Sequence, residues 1–335
     1  MDLLTNKTVL ITGGTGTFGQ AFTKNILENH KDVRKVVIYS RDEYKQFKMS
    51  NLPWCKKYSK KIRFFIGDVR DKKRLYRAFN EIDIVVHAAA LKQVPSCEYN
   101  PFEAIKTNIN GAQNVIDAAI DNNVSKVVSL STDKACAPVN LYGATKLCSD
   151  KLFIAGNAYV GDRDVHFSVV RYGNVIGSRG SVLPYFKQKA KDKEKEIPVT
   201  NQEMTRFWLR IEDAIELVLT ALRTMKGGEI FVKKTPSIKI MDLAKAIAPK
   251  IPIKIVGVRP GEKIHEILIS NEDARNTIEF KDYYIIKPEF GFKKISSKLG
   301  KSVNNQFEYH SGNNPKQLSI AQIKKLSNMH YEEIE

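Results

Sequence analysis

The chain reads as an α/β protein, with a doubly wound parallel sheet followed by a smaller, mixed C-terminal lobe. Three observations predict this. Short segments that are largely apolar recur through the first half, as in strands buried on both faces of a parallel sheet. Helical patterns separate most of them, which is the rhythm of βαβ units. After about Gly173 the rhythm loosens, and Pro184, Pro198, Pro236, Pro249, Pro252 and Pro260 punctuate shorter elements.

Residues 7–12 (KTVLIT) form the first expected strand, followed by a glycine cluster and a helix over 18–29. Residues 35–39 (KVVIY), 62–66 (IRFFI) and 84–88 (IVVHA) supply the next three strands. A helix is expected over 101–122, a fifth strand over 126–130 (KVVSL), a helix over 141–158 and a sixth strand over 166–171 (HFSVVR). Crossovers between parallel strands are right-handed. The expected division is a first domain over 1–175, with returning segments near 205–235, and a second, interleaved lobe and tail over 176–335. A strand near 229–232 returns to the sheet, and only 319–326 looks helical in the polar, Asn-rich end.

Composition narrows the function. The 335 residues carry 54 Lys plus Arg against 37 acidic residues, a net charge of +17. This excess favours anionic partners: nucleic acid, a membrane surface or phosphorylated small molecules. No zinc-finger spacing or aromatic-interleaved RNA-binding signature is present, and acidic residues interrupt the Lys-rich run at 187–195 as on a solvated helix face. No apolar run approaches the ~20 residues of a membrane span, and the N-terminus lacks a secretory pattern. Cys55, Cys97, Cys136 and Cys148 include no C-x-x-C pair, so reduced thiols in a cytoplasmic protein are expected. No His/Cys/carboxylate cluster suggests a metal. His87, at a buried strand end, reads as a core histidine.

The first strand runs straight into Gly13-Gly14-Thr15-Gly16-Thr17-Phe18-Gly19, and a helix follows. The glycines at 13, 16 and 19 suit a turn that needs positive φ and close backbone approach to a pyrophosphate, which then meets the helix N-terminus. Placed between the first strand and the first helix, this spacing indicates dinucleotide binding on a Rossmann-type sheet. The end of the second strand, Ser40-Arg41-Asp42 with Lys45 nearby, chooses the dinucleotide. Arg41 is placed to pair with a 2′-phosphate, favouring NADP, and Asp42 leaves NAD open. Asp68, followed by Val69, is placed to accept from the adenine amino group. Ala88 begins a small-residue wall against the cofactor, and Leu130 and Ser131 close the fifth strand beside it.

Tyr142 and Lys146 lie four apart on one face of an expected helix. An ammonium there would lower the phenol pKa and ready it as a base. The same spacing occurs at Tyr44/Lys48, Tyr185/Lys189 and Tyr283/Lys287, but only Tyr142/Lys146 follows a strand ending in Ser131-Thr132. Thr132, Tyr142 and Lys146 thus make a triad for hydride-transfer chemistry.

TGGTGTFG, the segment Asn108 to Asn114 (NINGAQN) and YGATK together resemble the extended short-chain dehydrogenase/reductase superfamily. LSTDKA (130–135), NLYGATK (140–146), SRDE, FFIGDVRD, HAAALK, VRYGNV, GSRGSV, MTRFW and RPGEK narrow the resemblance to inverting UDP-N-acetylglucosamine 4,6-dehydratases of the pseudaminic acid type. Gln93 follows Lys92 where that family often has His, and Cys136-Ala137-Pro138 stands where it often has Asn-Pro. Neither departure removes a group from the implied reaction.

That resemblance implies C4 oxidation, loss of water across C5–C6 and reduction at C6. Tyr142 would take the O4 proton, Thr132 would orient O4, and Lys146 would support the phenolate and hold the nicotinamide ribose. Lys134, if its pKa is depressed by burial and cationic neighbours, would take the C5 proton, and Asp133, if protonated, would release the C6 hydroxyl as water. Lys92, Asn174, Arg179, Val182, Thr200, Arg259 and Glu262 would hold UDP-N-acetylglucosamine. A homo-oligomer, dimer or hexamer, is also implied, with no nucleic-acid or membrane partner. A C5-retaining dehydratase and a nucleotide-sugar 4-epimerase remain alternatives, the latter without need of Asp133 and Lys134. A non-catalytic dinucleotide-sensing or nucleic-acid-associated module would rest on charge alone.

Overall fold

The computed structural model describes residues 2–178, 180–289 and 300–329. Its six leading strands are β1 (Thr8–Thr12), β2 (Lys35–Ser40), β3 (Ile62–Ile66), β4 (Ile84–His87), β5 (Lys126–Thr132) and β6 (His166–Tyr172). They lie parallel in the order β3-β2-β1-β4-β5-β6. The chain order reverses between β1 and β4, which opens a crevice at the carboxyl ends of the strands. β1 is buried along its whole length, as a central strand covered on both faces must be.

Two apolar cores cover the faces of the sheet. One gathers Leu10, Val85, Val127, Phe153 and Phe167. The other gathers Ile11, Phe22, Val86, Val128 and the inward face of helix Ile211–Thr224. A third core, around Phe186, Trp208, Leu243 and Ile323, holds the smaller lobe together. There Asn174–Val175, Thr205–Leu209 and Ser237–Lys239 form a three-stranded sheet, and Ile197–Val199 pairs with Ile253–Ile255. Helix Ile320–Ser327 packs into this core, starting where the sequence places it because Ser319 and Gln322 form a reciprocal cap.

The returning strand is Ile230–Lys233, parallel to β6. Antiparallel strands Tyr283–Ile286, Thr277–Glu279 and Lys301–Ser302 then extend the sheet to ten strands. Strands of two to four residues carry too little pattern to be read from sequence. The helix expected over 101–122 is not continuous. Pro101–Ile105 and Gly111–Asp121 are joined by a π-helical turn, Lys106–Asn110. In that turn Asn108 hydrogen-bonds both backbone groups of Leu91, at 2.8 and 2.9 Å, and Thr145 Oγ1 at 3.0 Å. A side chain that serves a loop and a second helix at once outweighs regular α geometry. Among the described residues no helix is long and apolar enough to cross a membrane.

The turn entering Ile230–Lys233 hangs on a buried carboxylate. Glu229 accepts from Ser168 Oγ (2.7 Å), Lys226 N (2.6 Å) and Gly227 N (2.8 Å). Glu229→Ala leaves two backbone donors unpartnered and is expected to cost about 3 kcal/mol of stability, read as a lowered urea midpoint.

Candidate active site

A cleft of about 1050 Å³ runs over the carboxyl ends of the strands and under the smaller lobe. Its floor at β1 is the glycine turn. Gly13 sits at a φ of 65°, which side chains rarely adopt. The helix Thr17–Asn29 begins at Gly16 with no side chain capping it, so its first N–H groups stay available for an anion. Gly13, Thr15, Gly16, Thr17, Phe18, Gly19, Ser40, Arg41, Asp42, Lys45, Asp68, Val69, Ala88, Leu130 and Ser131 all line the cleft. Lys92, Asn174, Val182, Thr200, Arg259 and Glu262 line it towards the smaller lobe. Arg179 lies outside the described residues.

The side chains at the end of β2 are sorted by local bonds. Asp42 caps helix Glu43–Ser50 through Lys45 N at 2.9 Å and pairs with Lys45 Nζ at 3.2 Å. Arg41 stays largely exposed, 3.8 Å from Asp68. The Asp68 carboxylate is held mainly by Arg70, at 2.8 to 3.1 Å. The glycine turn and Arg41 thus share one wall, and Asp42 is already engaged.

β5 delivers the reactive cluster. It ends at Thr132 and passes into a 3₁₀ turn, Asp133–Ala135. Thr132 Oγ1 donates to Asp133 Oδ1 at 3.0 Å and accepts from Lys134 N at 3.3 Å. Lys134 Nζ lies 3.1 Å from Asp133 Oδ1 and 3.1 Å from Glu266 Oε1. Helix Leu141–Gly156 starts against this turn, capped by Asn140, which accepts from Gly143 N at 2.8 Å. The Asn140 amide also donates to Gly261 O at 2.8 Å, tying the RPGEK loop to the helix. Gly143 permits the approach, since a Cβ there would fall on the Lys134 carbonyl oxygen. Tyr142 and Lys146 then face the same cleft as Thr132, Asp133 and Lys134.

Behind them lies a second buried layer. Ser131 Oγ donates to Asp150 Oδ2 at 2.6 Å. Arg171 on β6 sits 3.6 Å from Asp150 and 3.3 Å from Asp273. His87 is the core histidine the sequence suggested. Its Nδ1 lies 2.8 Å from Thr12 Oγ1, and burial holds its pKa at about 3, so it is neutral.

Two electrostatic expectations are corrected. Lys134 is not depressed: burial pulls its pKa down, but Asp133 and Glu266 outweigh that and raise it. The packing has placed carboxylates, not only cations, around it. Nor is Lys146 the main cation acting on the Tyr142 phenol. Burial pushes the phenol up to about 12, and the cation that pulls most against it is Lys134, helped by a hydrogen bond with Thr132. Asp133 is raised by burial, against Lys134 and with Glu266. Lys146 is lowered by burial, with Asp150 opposing.

Arg206 and Glu266 also line the cleft, and sequence reasoning did not single them out. Arg206 stands within the noted MTRFW segment, and Glu266 lies three residues beyond RPGEK. Among the described residues, five buried polar atoms without hydrogen-bond partners belong to residues lining this cleft: Thr107 Oγ1, Asp133 Oδ2, Asn174 Oδ1, Ser181 Oγ and Glu266 Oε2. Unpartnered polar atoms are uncommon in protein interiors, and their gathering here marks a ligand site.

The sequence pattern of the polysaccharide biosynthesis protein family matches residues 9–288. The chain belongs to that family. A UDP-N-acetylglucosamine 4,6-dehydratase (inverting) from Campylobacter jejuni subsp. jejuni serotype O:23/36 (strain 81-176) is 52% identical, covering 97% of this chain and 98% of its own length. This relative bears out the resemblance read from the motifs. A UDP-glucose 4-epimerase from Rickettsia canadensis (strain McKiel) is 41% identical over 97% of this chain and 96% of its own. The X-ray structure of Pen from Bacillus thuringiensis superposes with a TM-score of 0.87 at 38% identity, over 96% of this chain and 97% of that one.

Gly143→Ala tests the packing that builds the site. It is expected to cost about 1–3 kcal/mol, seen as a lower melting temperature, and to lower turnover more than dinucleotide affinity.

Proposed function

We propose that this protein is an NADP-dependent UDP-N-acetylglucosamine 4,6-dehydratase that inverts C5. The product is UDP-2-acetamido-2,6-dideoxy-β-L-arabino-hex-4-ulose, and the step opens pseudaminic acid synthesis. The observation that carries the reading is the buried Asp133–Lys134 pair beside Thr132, Tyr142 and Lys146. An epimerase has no use for a buried acid and amine next to its tyrosine. The 52% identical dehydratase supports the same choice. A homo-oligomer in the cytoplasm is part of the proposal.

The residues fit a dinucleotide. Gly13 and the uncapped helix start at Gly16 suit its pyrophosphate. Arg41 and Lys45 suit a 2′-phosphate, and Asp42, spent on its helix cap, is poorly placed for a ribose diol. When bound, the dinucleotide would supply the hydride acceptor for C4 and, once reduced, the hydride returned to C6; its oxidised nicotinamide would also carry a positive charge that favours the Tyr142 phenolate.

The chain handles the protons. Tyr142 takes the proton of O4, with Thr132 orienting that oxygen and Lys146 supporting the phenolate. A ketone at C4 makes the C5 hydrogen acidic. Asp133 and Lys134 are joined by a hydrogen bond of 3.1 Å. Moving one proton along it converts the ion pair into a carboxylic acid and a neutral amine, the two species the elimination needs. Burial favours that neutral form. The amine therefore arises from proton transfer within the pair, not from a depressed lysine. Lys134 takes the C5 proton, Asp133 protonates O6, and water leaves. Reprotonation of C5 from the face opposite Lys134 inverts the centre. Asn174, Arg259 and Glu262 face the region where the uridine diphosphate would lie, an arginine suiting the diphosphate and a glutamate the ribose.

Two experiments test the reading. Tyr142→Phe is expected to lose at least about a hundredfold in sugar oxidation, whereas Lys134→Ala still reduces the dinucleotide, more slowly because Tyr142 loses its main cationic neighbour, but forms no 6-deoxy sugar. Normal dehydration by Lys134→Ala would contradict the assignment. For the cofactor, Arg41→Ala is expected to weaken NADP binding at least about tenfold and leave NAD binding nearly unchanged, as measured by calorimetry. Equal effects on both would remove Arg41 from 2′-phosphate recognition.

A further inference from the structure

We infer that Glu266 is a positioning residue for the elimination: its carboxylate holds Lys134 together with Asp133 and stabilises the charge Lys134 gains on taking the C5 proton. The inference rests on the dehydratase reading above and deepens it.

The geometry is that of a built clamp. Glu266 is buried, with Oε1 3.1 Å from Lys134 Nζ and 3.6 Å from Arg206 Nε. Its backbone is pinned on both sides by Ser311: Glu266 N donates to Ser311 Oγ at 2.9 Å, and Ser311 N donates to Glu266 O at 2.8 Å. Ser311 Oγ is in turn 2.6 Å from Thr205 Oγ1. The backbone that carries the carboxylate is thereby fixed, and Lys134 Nζ lies within 3.1 Å of both Asp133 Oδ1 and Glu266 Oε1. The remaining oxygens, Asp133 Oδ2 and Glu266 Oε2, are both buried without partners in residues lining the cleft.

The chemistry needs a second anion. In the elimination the C5–H bond breaks and its electron pair becomes the C5–C6 double bond. The proton goes to Lys134 Nζ, and the C6–O6 bond breaks as O6 takes the Asp133 proton and leaves as water. Asp133 starts that step neutral. Positive charge therefore grows on Lys134 before Asp133 becomes an anion, and Glu266 is the carboxylate present throughout. A preorganised charge aimed at a developing one lowers the barrier without reorganisation. The groups facing Lys134 and Glu266 are Asp133 on the same turn, Tyr142 on helix Leu141–Gly156, Arg206 on strand Thr205–Leu209 and Lys263 on the RPGEK loop. Although burial pushes the Glu266 carboxyl up, Lys134, Arg206 and Lys263 together bring it below its ordinary value, so it is ionised.

The test uses Glu266→Gln in the full chain with NADP and UDP-N-acetylglucosamine, checked for folding by its melting temperature. Dinucleotide reduction in a single turnover at saturating UDP-N-acetylglucosamine, which reads C4 oxidation, is expected to stay within about twofold. Deuterium wash-in at C5 is expected to fall at least about tenfold, and the alkaline limb of its pH profile to move to lower pH by about one unit, because Lys134 has lost a neighbouring negative charge. Equal losses in both steps, or an unmoved profile with unchanged wash-in, overturn the inference. Glu266→Asp, which keeps the charge, is expected to keep the wild-type limb with a smaller loss of rate, and a limb moved as far as in the glutamine variant also overturns it. Wild-type protein that washes in no deuterium would sink the dehydratase reading itself, whereas wild-type exchange with unaffected variants sinks the inference alone.

Discussion

Lys134 is partly buried at the cleft, with its charged nitrogen shared between two buried carboxylates, Asp133 and Glu266, at 3.1 Å each. Taking such charges out of water costs several kcal/mol per ion, and the attraction between them offsets this only where the geometry is fixed and the remaining atoms are partnered. Here Arg206 supports Glu266, Thr132 supports Asp133, and one oxygen of each carboxylate stays unpartnered in a residue that lines the cleft. The cluster is therefore incompletely satisfied by the protein itself. A substrate carrying hydroxyl groups would complete it, and this makes the interaction a constraint on function as well as on stability.

Much of the surrounding structure serves to hold that cluster in place. β5 ends at Thr132, so the turn of Asp133 and Lys134 lies at the mouth of the crevice. The missing side chain at Gly143 lets the Tyr142 helix press against that turn. Asn108, in its π-helical turn, joins the Leu91 loop to Thr145, one residue before Lys146. Below, Ser131, Asp150, Arg171 and Asp273 fix β5 to β6 and to the short helix Asn271–Ala274 that follows Ile267–Ile269. These links join separate elements, and the one from Arg171 to Asp273 reaches across about a hundred residues of chain.

What the sequence made legible was local. The glycine turn, the Tyr142/Lys146 spacing and the Asp133-Lys134 dipeptide each lie within a few residues beside a recognisable strand or helix. The six parallel strands were equally plain, because each carries a short apolar run, although β3 at the sheet edge is only partly buried. What stayed hidden depends on packing. Arg206 and Glu266 come from separate segments of the smaller lobe, and no spacing rule joins them to Lys134. The protonation of Lys134 was misread for the same reason: its carboxylate neighbour Glu266 is brought in by tertiary structure. The strands beyond Ile230–Lys233 are too short to carry a period, and the π-helical turn interrupts a helix whose amphipathic pattern is otherwise regular.

The central claim is that the buried acid–amine pair removes the C5 proton and expels the C6 hydroxyl. It is tested most directly by proton NMR of the wild-type protein with NADP and UDP-N-acetylglucosamine in D₂O. The expected product is a 4-keto-6-deoxy sugar with deuterium at C5 and ring couplings that report an inverted centre. A C4 epimer that retains hydrogen at C5, or a sugar left unchanged with the dinucleotide bound, would contradict it.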